Sequence, residues 1–302
     1  MTFSIGLRFY RISIRKKGDK EPLEIGPGCE PCDLLDYVED FVARKTEPTV
    51  ETTESRTWFF ERLDSNSLRA VHGFINYGTH GFESKLKDVT TKEEKYKRES
   101  TDLEEIPLYF QIWMPSSTNY ALMAFQSFQG RSCVQFVQSA MSADFQDKFK
   151  GHNLSFKVIA PAAALLDTAP VKSVTFLKPK QSSDRADKYW LGKKMDELDY
   201  EVTVRAHKRS AFISMYKDLK ELVPSDQGGF VEFDGVTYEG VKADIKMGKK
   251  RRSVGIFGSG IDAGLIDVSD NVKRDKSGHP TLNSIVAEVD SLMEDFFASI
   301  KM

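Results

Sequence analysis

The sequence predicts an α+β protein in which a mainly antiparallel, aromatic-rich sheet precedes a basic α+β region and a carboxy-terminal amphipathic helix. Three observations predict this class. Short alternating apolar segments fill most of the first 128 residues, a strand-turn-helix-strand pattern spans residues 120–161, and positive charge concentrates after residue 170. We expect two domains, residues 1–168 and 169–302, because a chain of 302 residues with 40% apolar content can form two modest cores.

The pattern of the amino-terminal region predicts a strand, a helix and a meander. Residues 6–14 alternate between apolar and polar types, and apolar residues recur at helical spacing after Asp33. Strands are expected at residues 57–63, 68–77, 81–89 and 106–113. The segment 90–100 is dense in Lys and Glu, so we expect an exposed loop or a short helix there.

The central unit, residues 120–161, predicts a strand, a tight turn at residues 129–132, an amphipathic helix and a second strand at residues 154–160. Ser132 is the expected N-cap of the helix. Gly130 lets the backbone approach a ligand closely, and Arg131 lies at a helix amino-terminus, where N–H groups favour an anion. Phosphate binding and ordinary helix capping both fit this turn.

Charge is unevenly distributed along a chain whose net charge is only −2. Residues 1–170 carry 21 Lys and Arg against 24 Asp and Glu (−3), residues 171–260 carry 18 against 13 (+5), and residues 261–302 carry 4 against 8 (−4). A polyanion-binding surface is therefore expected in the middle segment rather than over the whole protein.

Basic residues in this segment are interleaved with aromatic ones and recur at a predicted hairpin tip between strands near Val241 and Ser253. Cationic heads suit phosphates, and aromatic faces suit bases or sugars, so this pattern favours nucleic-acid binding. The expected phosphate contacts are Arg131, Lys178, Lys180, Lys193, Lys194, Arg209, Lys249, Lys250, Arg251 and Arg252, with Trp190 as the stacking residue.

Two enzyme classes are weighed against this interpretation. Asp234, Asp244 and Lys246 echo the order of acidic residues and a lysine in metal-dependent nucleases, where carboxylates hold Mg²⁺. The glycine-rich segment 255–264 continues as strand, so a dinucleotide-binding site is not expected. Cys29 and Cys32 precede a helix, but no further ligands complete a redox or metal motif. We expect no cofactor and no metal.

The start of the chain and its cysteine content predict a cytoplasmic protein. The first residues contain no long apolar segment typical of a secretory signal, three cysteines are too few for a disulfide framework, and no stretch is long enough to cross a bilayer. The last helix carries an apolar seam at residues 282, 285, 289, 292 and 296. Such a seam either closes over the protein's own core or pairs with a partner helix in a homodimer.

Several segments together resemble known phage-exclusion proteins. They are the first strand (residues 7–12), the strand and turn at residues 123–130, the strand at residues 174–180 and the terminal helix. In layout they are similar to RexA and to KwaB, the DNA-binding component of the Kiwa anti-phage system. The resemblance implies sequence-nonspecific binding of duplex DNA by a homodimer or higher homo-oligomer, coupled to a small membrane-protein partner, and it implies no active site.

The function expected from the sequence is thus a DNA-binding sensor or effector of a bacterial anti-phage system. A metal-dependent nuclease effector and a non-enzymatic protein-interaction module are the alternatives. Salt-sensitive binding, Mg²⁺-dependent cleavage and capture of a specific partner distinguish the three.

Overall fold

The structure is a computed structural model that describes residues 4–51, 55–63, 69–115, 118–159, 171–181, 198–206, 231–233, 236–238, 240–247, 250–258 and 265–300. The α+β class predicted from the sequence is confirmed, with mostly antiparallel strands. The chain divides into two compact units: unit 1 comprises residues 1–9 and 158–302, and unit 2 comprises residues 10–157. The sequence placed its boundary at residue 168 and gave residues 1–9 to the first domain.

Unit 2 contains a sheet with the strand order β2–β3–β4–β7–β8–β1, and β9 also pairs with β1. A separate two-stranded sheet is formed by β5 and β6. The elements are β1 (Ile5–Lys16, residues 10–16 in this unit), α1 (Leu34–Arg44), β2 (Thr49–Glu51), β3 (Arg56–Leu63), β4 (Ala70–Thr79), β5 (Ser84–Lys87), β6 (Glu94–Arg98), β7 (Glu104–Trp113), β8 (Ala121–Phe128), α2 (Val134–Lys148) and β9 (His152–Val158).

An aromatic cluster joins the two helices of unit 2 to one face of its sheet. Phe41 of α1 meets Phe60 of β3 with ring centroids 6.0 Å apart, and Phe60 meets Phe110 of β7 at 4.9 Å. Tyr37 of α1 packs edge-on against Phe145 of α2 at 4.9 Å. All five side chains are buried, so these alternating positions form the core between the sheet and the helices.

The start of α1 is fixed by one carboxylate with two tasks. Asp33 accepts a hydrogen bond from the backbone N–H of Leu35 at 2.9 Å, and both of its oxygens accept from Arg69 at 3.0 Å. Burial raises the pKa of Asp33, but the hydrogen bonds from Arg69 and Leu35 and the charge of Arg69 outweigh burial and lower it. The helix predicted after Asp33 is confirmed.

The predicted tight turn before α2 is present. Phe128 and Arg131 exchange backbone hydrogen bonds of 3.1 and 2.9 Å, and Gln129 and Gly130 between them have φ of 51° and 76°. Positive φ at both central positions is the conformation of a type I′ turn. The N-cap position of α2 is Cys133 rather than Ser132, whose Oγ lies 3.5 Å from the N–H of Val134.

The segment 90–100 corrects a prediction. Residues 90–93 and 99–100 are loop as expected, but residues 94–98 form β6, which pairs antiparallel with β5 to make a hairpin, with Leu86 opposite Tyr96. Ion pairs between neighbouring strands, such as Lys85 Nζ to Glu94 at 2.7 Å, explain how so charged a segment forms a ladder.

Unit 1 contains a sheet with the strand order β11–β10–β14–β15–β16–β1, and β12 and β13 form a small separate pair. Its elements are β1 (residues 5–9 in this unit), β10 (Val171–Gln181), β11 (Leu198–Arg205), β12 (Val231–Phe233), β13 (Val236–Tyr238), β14 (Gly240–Met247), β15 (Lys250–Gly258), β16 (Ile266–Asp267) and α3 (Leu282–Ile300). The sequence also predicts helices at residues 161–166 and 210–222, and both segments lie outside the described residues. No helix among the described residues is both long and apolar enough to span a membrane.

The apolar seam of α3 lies within the core of unit 1. Ile285, Val289, Leu292 and Phe296 are all buried, and the ring of Phe296 lies 4.9 Å from that of Phe9 on β1. Of the two roles that the sequence allows for this seam, the structure supports closure over the protein's own core. A homodimer that used this stripe would have to expose that core.

Candidate nucleic-acid interface

One side of four neighbouring strands in unit 1 is polar, and we call it the polar face. On the other side, Val174, Val241, Ala243 and Ile245 are buried. Because successive strand residues alternate between the two faces, the positions between these apolar ones form the polar face. Its members are Glu201, Thr203 and Arg205 of β11, Ser173, Thr175 and the partly exposed Leu177 of β10, Lys242 and Asp244 of β14, and Ser253 and Gly255 of β15.

The strand register sets these residues in rows. One row joins Arg205, Ser173, Asp244 and Ser253, and the next joins Thr203, Thr175, Lys242 and Gly255. Arg205 and Lys242 are both exposed. Strand β10 lies between their strands, so they are two strand spacings and one row apart, which places their backbones at a distance of about 12 Å.

Short hydroxyl side chains cover the space between the two cations. The Oγ1 atoms of Thr175 and Thr203 lie 3.0 Å apart, and Ser173 donates a hydrogen bond of 2.5 Å to Asp244. Hydroxyls and cationic side chains are the groups that contact phosphate and sugar in nucleic-acid complexes. The polar face therefore combines two exposed positive charges with a low surface of hydrogen-bonding groups.

The predicted basic hairpin tip adjoins this face. β14 and β15 pair to their ends, with Met247 opposite Lys250 and Lys246 opposite Arg251. Lys246 follows Asp244 by two residues on β14, and Arg252 pairs with Ile245. The ladder thus places Lys246 and Arg251 at positions that continue the polar face, whereas Lys250 and Arg252, opposite Met247 and Ile245, hold positions of the other face.

Lys178 and Lys180 lie at the opposite end of the same strands. Leu177 pairs with Gly240, seven residues before Met247. Since a strand rises by about 3.3 Å per residue, Lys178 is about 23 Å from the hairpin tip along the strands. The structure does not bring these two predicted clusters together. Five other predicted residues lie outside the described part: Trp190, Lys193, Lys194, Arg209 and Lys249.

Arg131 belongs to unit 2 and already has an anionic partner. Its Nη1 donates to Glu104 Oε1 at 2.6 Å, and its side chain is 35% exposed. Glu104 also accepts from Arg98 at 3.0 Å, so it bridges two guanidinium groups. A phosphate at Arg131 would have to compete with this carboxylate.

The residues of the nuclease alternative do not form a metal site in the described structure. Asp244 accepts the hydrogen bond from Ser173. For Lys246 the structure describes the strand position of the backbone alone, and Asp234 lies outside the described residues. In the part of the chain that the structure describes, no three His, Cys, Asp or Glu side chains are grouped to hold a metal ion.

Cys29 and Cys32 are both free thiols, and the environment of Cys32 disfavours its reactive form. Burial, with the nearby carboxylates of Asp33 and Asp36, raises the pKa of Cys32 to about 11. A thiol with that pKa is about 0.1% thiolate at pH 8, and thiolate is the nucleophile. The position of Cys32 just before the start of α1 therefore does not activate its thiol.

We expect iodoacetamide to alkylate Cys32 slowly in the folded protein at pH 8, at a rate that rises about tenfold per pH unit up to pH 10. Peptide mass spectrometry after timed quenching measures the rate, and the same reaction in concentrated urea gives the unfolded reference. Rapid alkylation of folded protein at pH 8, at the rate seen in urea, would contradict the assignment.

No family model, curated protein or solved structure matches this chain. The similarity in layout to RexA and KwaB stays a prediction made from the sequence.

Lys242, Thr175 and Thr203 are candidate site residues that the sequence reasoning missed. Arg205 was part of a basic cluster at residues 205–209 but was not among the expected phosphate contacts. A signal for them exists in the period-two pattern of residues 201–205, where Glu, Thr and Arg alternate with Val. That pattern predicts a polar face on each strand alone. Which strands adjoin, and in which register, follows only from the fold.

Proposed function

We propose that this protein binds nucleic acid, principally duplex DNA without sequence preference, through the polar face and the basic hairpin tip of unit 1. The observation that carries the proposal is the register of β11, β10, β14 and β15. It sets exposed Arg205 and Lys242 in neighbouring rows of a hydroxyl-covered surface that ends at the basic tip.

Electrostatics supports a local rather than a global interaction. The chain as a whole has a net charge of −2, so long-range attraction to DNA is weak. The polar face carries two cations, Arg205 and Lys242, and two acidic residues, Glu201 and Asp244, of which Asp244 is hydrogen-bonded to Ser173. The excess of positive charge comes from the basic residues of the adjoining hairpin tip. A spacing of about 12 Å between Arg205 and Lys242 is close to the width of the major groove, so the two can reach phosphates on either side of it.

The biological role in this proposal is that of a sensor or effector in anti-phage defence. That part rests on the resemblance to RexA and KwaB, which also supplies the proposed small membrane-protein partner. Sequence-nonspecific binding suits such a role, because a surface that contacts phosphates and sugars binds any duplex.

The test is duplex binding by the double variant Arg205→Glu/Lys242→Glu. We expect fluorescence anisotropy with a short labelled duplex to show affinity at least about tenfold weaker at 50 mM salt, and a salt slope reduced by up to about 1.8, since each phosphate contact contributes about 0.9. Lys16→Glu/Lys17→Glu makes the same charge change at exposed positions of unit 2 and should bind as the wild type does.

Two results would replace the proposal. Wild-type protein that shows no salt-sensitive binding to duplex DNA, single strands or RNA does not use this surface for nucleic acid. Mg²⁺-dependent shortening of the duplex that is lost in Asp244→Ala would instead establish the nuclease alternative.

A further inference from the structure

The sheet of unit 2 has a second face, opposite the one that α1 and α2 cover. Phe60 and Phe110 pack on the helix side, so the positions that alternate with that side in β3, β4 and β7 lie on the second face. We call it the open face, and its central members are Phe59, Glu61, Phe74, Asn76, Glu105 and Pro107. The two carboxylates are exposed and the other four side chains are half-buried, so a ligand can reach all six.

Four of these residues form a square across β3 and β4. Glu61 pairs with Phe74 and Phe59 pairs with Asn76, so the two phenylalanines lie on one diagonal and the carboxylate and the amide lie on the other. The Nδ2 atom of Asn76 donates a hydrogen bond of 3.3 Å to Glu61 Oε2. The Glu61 carboxylate therefore has an aromatic neighbour both along its own strand and across the ladder.

The aromatic part of the square is held by the next strand, β7. The ring of Phe74 meets that of Tyr109 edge-on, with centroids 6.1 Å apart. The Tyr109 hydroxyl donates to Gln111 Oε1 at 2.6 Å, and Nδ1 of His72 lies 3.1 Å from the same hydroxyl. An aromatic surface that is already fixed loses little conformational entropy when a ligand covers it.

Charge distinguishes the open face. At its positions in β3, β4 and β7 the sequence places two carboxylates, Glu61 and Glu105, and no Lys or Arg. Within the part of the chain that the structure describes, neither carboxylate forms an ion pair. Carboxylates on the helices, by contrast, are paired, as Asp144 is with Arg44 at 2.9 Å. An uncompensated negative surface repels phosphate, so it disfavours nucleic acid and anionic lipid and favours a cation.

An arginine side chain fits this combination of groups. Its planar guanidinium stacks on an aromatic ring and makes two parallel hydrogen bonds to a carboxylate, whereas a lysine ammonium is a compact and strongly hydrated charge. The strand register places the backbones of Glu61 and Glu105 about 16 Å apart. Small molecules bind in concave pockets, but an extended polypeptide with arginines about five residues apart reaches both carboxylates on a sheet surface.

We propose that the open face binds an extended, arginine-containing segment of a partner protein. One guanidinium occupies the square, where it stacks on Phe59 or Phe74 and pairs with Glu61, and a second guanidinium pairs with Glu105. Exposed ion pairs and cation–π contacts are individually weak, so a short peptide binds with a dissociation constant on the order of 0.1 to 1 mM. The open face belongs to unit 2 and the polar face to unit 1, and this proposal does not rest on nucleic-acid binding.

An NMR titration of isotope-labelled protein tests the proposal, with a Gly–Ser peptide that carries two arginines about five residues apart as the probe. We expect saturable shifts of backbone amides in β3, β4 and β7. The same peptide with citrulline, which is neutral, in place of arginine should cause no such shifts. Lysine in place of arginine keeps the charge but loses the planar fork, so its dissociation constant should be at least about threefold higher.

Variants of the protein identify the groups that bind. Glu61→Gln keeps the shape of the side chain and removes its charge, so the dissociation constant should rise at least about fivefold. Phe74→Leu keeps an apolar side chain but loses the aromatic face, and it should weaken binding about threefold or more. Glu21→Gln makes the same charge change at an exposed position outside the open face and should bind like the wild type. Circular dichroism checks that each variant is folded.

The absence of saturable shifts at about 2 mM peptide overturns the proposal, and so does a folded Glu61→Gln that binds like the wild type. Equal weakening by Glu61→Gln and Glu21→Gln would reduce the effect to the net charge of the chain. Binding of the citrulline peptide as tight as that of the arginine peptide would show that the guanidinium is not recognised. Shifts of the same amides with single-stranded oligodeoxythymidine instead of the peptide would assign the face to nucleobases.

Discussion

Replacing Gly73 with alanine is expected to destabilise unit 2 by about 3 kcal/mol or more. Gly73 lies in β4 between Arg62 of β3 and Phe110 of β7, on the face that the helices cover. A Cβ at this position would lie 2.1 Å from the carbonyl oxygen of Glu61. That atom is backbone in a paired strand, so the clash is relieved only by moving β3 away from β4.

Urea unfolding followed by circular dichroism measures the effect, with Gly26→Ala as the matched control. A Cβ at Gly26 meets no atom within 4 Å, so that substitution should change stability by less than about 1 kcal/mol. If Gly73→Ala is too unstable to purify while Gly26→Ala expresses well, that difference also shows that Gly73→Ala is the less stable variant. Equal stabilities of the two variants would show that the strands are not this close.

Elements with strong local signals follow directly from the sequence. The Asp33 carboxylate ahead of an apolar helical repeat predicts the start of α1, and residues 128–131 predict the turn that leads to α2. Both signals act within a few residues of the chain. Strand β5 lies within the predicted strand 81–89, but β6 escaped prediction because it is dense in Lys and Glu, and its pairing with β5 depends on ion pairs that sequence periodicity does not report.

The candidate site also contains one part that the local sequence predicts and one part that depends on strand pairing. The hairpin of β14 and β15 is a local structure, and its basic tip is evident from residues 246–252. The neighbourhood of Arg205 and Lys242 depends on β10 lying between their strands. Its partners there are distant in sequence, since Ser173 pairs with Arg205, 32 residues away, and Thr175 pairs with Lys242, 67 residues away. The same pairing separates Lys178 from the hairpin tip. Clustering of basic residues in the sequence therefore wrongly grouped Lys178 with the hairpin tip, and it did not reveal that Arg205 and Lys242 are neighbours.

Replacing Arg98 with methionine is expected to destabilise unit 2 by about 3 kcal/mol. Its side chain is only 7% exposed and joins three parts of the chain. It donates to the carboxylate of Glu104 at 3.0 Å, to the carbonyl of Asp102 at 3.3 Å and to the carbonyl of Thr79. Methionine retains the apolar stem but removes the donor to the buried carbonyl of Thr79, and an unsatisfied buried acceptor is costly.

Two companion variants separate geometry from charge. Arg98→Lys keeps the positive charge but lacks the planar fork that reaches all three acceptors, so its stability should fall between those of the wild type and Arg98→Met. Lys97→Met removes a neighbouring charge whose side chain is 55% exposed, and it should cost less than about 0.5 kcal/mol.

Amide hydrogen exchange locates the loss caused by Arg98→Met. Because Arg98 ties the end of β6 to Thr79 at the end of β4, exchange should accelerate first in β5 and β6, while the β4–β7 ladder stays protected. Uniform acceleration across unit 2 would mean that Arg98 supports the whole sheet rather than the hairpin.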